Sequence, residues 1–167
     1  MTSHELFAAI PATLATDILE FNQTNDKKLY HAALEAIAQS RKVRPVYLER
    51  QPRPERYSAM ISSLSRPALA MAADSLLRNW LLQKHSALLG DFLDALGIKH
   101  EKGVVEELPK AVDDAALRTA VETLLAKHPP EAVAVYLHAF NFMNAESWTN
   151  LDTLLQTMPE LKLRREA

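Results

Sequence analysis

The chain has 167 residues, 48% of them apolar, a net charge of -2 and no cysteine. A chain of this length is expected to bury roughly 70% of its unfolded surface as one globular domain over residues 1–167, without staples. The missing cysteines exclude disulfides, thiolate nucleophiles, iron–sulfur clusters and cysteine zinc sites, and fit a cytoplasmic setting, while the small net charge argues against bulk attraction to nucleic acid or anionic lipid.

The N-terminal stretch MTSHELFAAIPATLATDILEF is interrupted by Glu5, Pro11 and Asp17 and does not read as a signal peptide. No run reaches the 18 or so apolar residues of a membrane span, so no membrane association is expected. Three glycines against nine prolines suit helices joined by short connections better than sheets, which need glycine in turn after turn. The fold class expected is all-α, a single-domain multi-helix bundle. Helices are predicted over residues 3–9, 11–21, 26–40, 54–63, 67–96, 113–127, 130–142 and 147–157, four of them opening at proline, which fits the first helical turn. In the fifth, Leu88, Leu89, Phe92, Leu93 and Leu96 share one face and Gly97 follows as a terminator. Thirty helical residues would run about 45 Å against an expected radius of gyration of about 15 Å. A kink or break is therefore predicted near His85 and Ser86, unless the helix protrudes to meet a partner.

Farther on, Leu117, Val121, Leu124 and Leu125 form a helical stripe after Asp113 and Asp114. The segment AVAVYLHAF, residues 132–140, suits a buried strand as well as a buried helix; Pro130 and Glu131 ahead of it favour the helix. Its predicted core residues are Val133, Val135, Tyr136, Leu137 and Phe140. VYL occurs both at Val46 to Leu48 and at Val135 to Leu137, each after an Ala-x-Glu helix, a match that chance alone explains in a chain rich in alanine and leucine.

No catalytic or cofactor signature is legible, and no cofactor or metal is expected; an enzyme built on an unfamiliar site is the least favoured alternative to a binding role. The six histidines lack the His-Glu-x-x-His spacing that sets two imidazoles on one zinc-facing side. His31 and Glu35 are spaced for a surface contact, and His138 for a core histidine bonded to a carbonyl. Asp91 and Asp94 read as charge on a solvated face. Trp80 and Trp148 read as packing residues, and no glycine-rich phosphate loop or Gly-x-Ser-x-Gly elbow is present.

The feature that departs from a generic helical domain is RKVRPVYLERQPRPERY, residues 41–57. Arg41 to Arg56 carries six basic and two acidic side chains, a net of +4, whereas Asp91 to Glu122 carries eight acidic and four basic, a net of -4. Prolines 45, 52 and 54 are expected to hold the strip partly extended. Its candidate binding residues are Arg41, Lys42, Arg44, Tyr47, Arg50, Arg53, Arg56 and Tyr57. Three uses compete: neutralisation against the acidic half of the same chain, contact with a protein partner or a second copy, and nucleic-acid binding with Tyr47 and Tyr57 as a stacking platform. The favoured expectation is a protein-interaction or scaffold module acting through the strip and an acidic face, with self-association included. A nucleic-acid partner is not favoured, because +4 is small and no helix-turn-helix, RRM or KH signature is present.

Overall fold

A computed structural model describes residues 1–101, 104–143 and 148–163. The expected all-α fold is what the chain adopts. The described residues form ten α-helices and two 3-10 turns, and their only β pairing is one isolated bridge between Glu101 and Val104. Helices gather into two compact units, Met1–Trp80 and Leu81–Leu163.

The first unit contains α1 (Ser3–Ala9), α2 (Ala12–Asn25), α3 (Lys27–Ser40), α4 (Pro45–Arg50), α5 (Arg53–Leu64), a 3-10 turn at Pro67–Leu69, and most of α6 (Ala70–Lys84). Each start has a local cause. The Thr2 N–H donates to Glu5 Oε2 at 2.7 Å, holding the Glu5 carboxyl below its usual range, and Asp26 accepts from the Leu29 N–H at the start of α3. α2 packs on α3 and α5, α1 on α5, and α3 on α4. Between α2 and α6 the core carries a polar seam: fully buried Asn22 donates to the carbonyls of Ile18 and Leu76 and accepts from Asn79, so none of its burial leaves an unmet donor. Trp80 is a core residue as expected, its indole N–H donating to Asp17 at 3.1 Å.

The expected break falls at His85, whose φ of -116° and ψ of 30° end α6 and open α7 (Ser86–Ala95). No long protruding helix forms. Leu81 and Leu88, on either side of the break, are buried, while Leu82 stays exposed. In the second unit α7 packs on α8 (Asp114–Lys127), and α9 (Pro130–Met143) packs on α8, α10 (Thr149–Thr157) and a 3-10 turn at Pro159–Leu161. The AVAVYLHAF segment is helical, and Ala132 through Ala139 are all buried, as suits a central helix. Phe140 is half-buried instead of fully buried, and joins a cluster of Phe92, Tyr136 and Trp148 with ring centroids 5.2 to 5.8 Å apart. Trp148 caps α10 and packs back as predicted, donating to the Pro109 carbonyl at 2.9 Å. The predicted start of this helix at Ser147 lies outside the described residues.

Candidate functional site

The basic strip is not the extended segment that its prolines imply. Pro45 and Pro54 sit in the first turns of α4 and α5, where their missing N–H costs nothing, so only Arg44, Gln51 and Pro52 keep an extended backbone. Proline's fixed φ and missing N–H suit a first helical turn: α4 starts at Pro45 itself, and α5 starts one residue ahead of Pro54, at Arg53.

Entry into the strip is a tight reversal. Lys42 has φ +57°, the only left-handed non-glycine among the described residues; its N–H donates to the Gln39 carbonyl, and the Val43 N–H reaches back to Ala38. This is the terminator normally given to glycine, and Gly97 closes α7 with the same pair of bonds. Next, α4 is locked in place. Leu48 points into the core, Glu49 Oε1 sits 3.3 Å from His31 Nδ1, and Arg56 donates to the Glu49 carbonyl at 3.3 Å. The same His31 also meets Glu35 at 3.1 Å, the surface contact its spacing implies.

Fixing Leu48 inward turns Val46 and Tyr47 outward, 43% and 57% exposed. With Val43 and Pro52 they form the apolar floor of a cleft of about 610 Å³, edged by Arg44 and Arg50. Gln51 also lines it, and its Oε1 is buried without a hydrogen-bond partner among the described residues. Lys42, Arg44 and Arg50 are exposed and have no ion-pair partner among the described residues.

The other candidates are used internally. Arg53 pairs with Glu20 of α2 at 2.6 Å, and Arg41 donates to Ser63 Oγ at 3.3 Å. Tyr57 is only 3% exposed, its hydroxyl donating to Gln23 Oε1 and its ring lying 5.6 Å from the guanidinium carbons of both Arg53 and Arg56. Burial pushes its phenol above the ordinary value, against the opposing pull of those two arginines. A two-tyrosine stacking platform therefore does not exist: Tyr47 is open and Tyr57 is core. The signal was present in the sequence, since Tyr57, Met60 and Leu64 fall on one helical stripe and all are buried. Val43 and Val46, overlooked as floor residues, stand at helix-like spacing with Tyr47.

Most of the acidic stretch is also engaged where it lies. Asp91, part-buried, meets His128 at 2.8 Å, whereas Asp94 is exposed charge as expected and also meets His100 at 2.7 Å. Asp113 caps α8, Asp114 accepts from Asn150, and Glu122 pairs with Arg118. Glu106 and Glu107 are exposed without ion partners among the described residues, and with Lys99, His100, Glu101 and Val104 they line a cleft of about 670 Å³. His138, buried in α9, bonds to the Leu161 carbonyl at 3.1 Å, as a core histidine should, and burial holds its pKa below the ordinary value. Among the described residues no three His, Asp or Glu side chains converge to hold a metal ion, and no helix is long and apolar enough to cross a membrane.

Compared with known proteins, the chain matches no family model, no curated sequence and no solved structure.

Proposed function

We propose that this protein is a cytoplasmic protein-interaction module whose contact surface is the α4 face. The observation that carries the reading is the pairing of exposed Val46 and Tyr47 with Arg44 and Arg50, two arginines that no described carboxylate neutralises. Tyrosine and arginine are the residues that most often dominate binding energy, and they do so best from a rigid base. Leu48, Glu49 and Arg56 supply that base by tying a six-residue helix, too short to hold itself, to α3 and α5. The left-handed Lys42 supports the same reading, since backbone strain in a non-glycine residue tends to collect at functional segments.

Neutralisation within the chain accounts for Arg53, which pairs with Glu20, while Arg41 is held by the Ser63 hydroxyl, and Arg44 and Arg50 are left over. Nucleic-acid binding would have Tyr47 alone to stack on. The test compares capture of partners from native lysate by the wild type, by Tyr47→Ala/Arg50→Glu, and by Arg53→Glu. A specific partner should be lost from the first variant and kept by the second. Identical capture by all three, with intact folds, would refute the reading. Affinity for oligonucleotides that falls steeply with salt would favour the nucleic-acid alternative instead.

A further inference from the structure

We infer that the α4 cleft is built to receive the acidic segment Val104 to Leu108 of a second copy of this chain. The inference rests on the interaction role proposed above and names its partner. Two features of the cleft specify an occupant: an apolar floor of Val43, Val46, Tyr47 and Pro52, and two edge arginines without described counter-ions. The occupant must bring an apolar side chain and carboxylates spaced to reach both edges.

The chain itself carries a segment that meets both. Val104 is 61% exposed, and Glu106 and Glu107 stand exposed two and three residues on. Residues 105–108 lie outside regular structure and donate no backbone hydrogen bond among the described residues. The segment is nevertheless anchored at both ends: Glu101 and Val104 exchange backbone hydrogen bonds at 2.9 and 3.0 Å, and the Pro109 carbonyl accepts from the Trp148 indole. An exposed segment held at its ends gives up less freedom on docking than a loose one. The charge left over points the same way: Lys42, Arg44 and Arg50 on the strip and Glu106 and Glu107 on the segment are exposed without ion-pair partners among the described residues, and are opposite in sign. Seating the segment would cover Val46 and Tyr47 and give Arg44 and Arg50 carboxylate partners.

Each copy offers one cleft and one segment, so association either closes as a reciprocal dimer or continues into larger species. The test is sedimentation velocity at tens of micromolar on the full chain, with two charge-reversal variants: Arg44→Glu/Arg50→Glu, and Glu106→Arg/Glu107→Arg. Wild type should run above monomer mass, with a dissociation constant that rises with salt. Each variant alone should associate at least about tenfold more weakly, because like charges then face each other. An equimolar mixture of the two should recover the wild-type mass, since each variant restores the charge pairing that the other lacks, and a misfolded variant could not do so. A monomeric wild type, or a mixture that stays monomeric, would overturn the inference. The interaction role itself would then still stand or fall on whether the Tyr47 and Arg50 variant loses its lysate partner.

Discussion

The two tyrosines of the basic strip, ten residues apart, should behave oppositely when truncated. Tyr57 is 3% exposed. Its ring buries roughly 150 to 200 Å², which at about 25 cal/mol per Å² gives an upper bound near 4 to 5 kcal/mol. Truncating a buried aromatic ring to alanine costs about 3 to 5 kcal/mol in other cores, so the two routes agree. In a chain of this length, about 2 to 4 °C is lost per kcal/mol, and Tyr57→Ala should melt roughly 8 to 16 °C below wild type. Tyr57→Phe separates the hydroxyl from the ring. It removes the bond to Gln23, which is only half-buried and can turn to water, so the loss should sit near the low end of the usual 0.5 to 1.5 kcal/mol, about half a kcal/mol. Tyr47→Ala, at an exposed site, should stay within about 0.5 kcal/mol of wild type. Urea denaturation followed by circular dichroism at constant slope measures all three. Equal destabilisation by Tyr47→Ala and Tyr57→Ala would refute the division of the strip into a buried and a presented half. So would an unmoved midpoint for Tyr57→Ala.

Lys42→Gly should stabilise by up to about 1 kcal/mol, because glycine adopts φ +57° without steric cost; a lower denaturation midpoint would contradict the assigned backbone. Trp148→Ala should cost about 3 to 5 kcal/mol through the loss of the Phe140 ring contact and the bond to Pro109, and calorimetry showing an unchanged melting temperature would remove Trp148 from the core. His138 has a folded pKa below its ordinary 6.5, so the unfolded chain binds the proton more readily. Stability should be indifferent to this group well above pH 6.5 and fall as pH drops from there towards the lowered folded value, then level off. His138→Gln should flatten that part of the pH profile, and an unchanged profile would place the acid sensitivity elsewhere. Arg53→Gln should change stability by no more than about 1 kcal/mol, since its pair with Glu20 is half-exposed; a larger loss in urea titration would mean that its ring contact with Tyr57 dominates.

Local chemistry in the sequence was enough for most of the helices, but not for α4, whose residues read as an extended strip. Scarce glycine, prolines at first turns, Asp26 and Asp113 at caps, and Gly97 after an apolar stripe act over three or four residues, and a helix needs no longer range than that. A size argument placed the break near His85, because no compact chain of this length holds a straight 30-residue helix. Tertiary structure decided the rest. Helical phase puts Leu48 and Tyr47 on different faces, but only packing against α3 and α5 chooses Leu48 for the core and leaves Tyr47 outside. Arg53 and Arg50 are alike in sequence; Glu20, 33 residues away from Arg53, neutralises one and not the other. Asp91 looked like solvated charge until His128 was brought to it across 37 residues. Lys42 takes the left-handed turn that sequence assigns to glycine, because bonding of α3 to the start of α4 over-determines its backbone. Periodicity fixes which side chains share a face; which face meets water depends on what the rest of the chain puts against it.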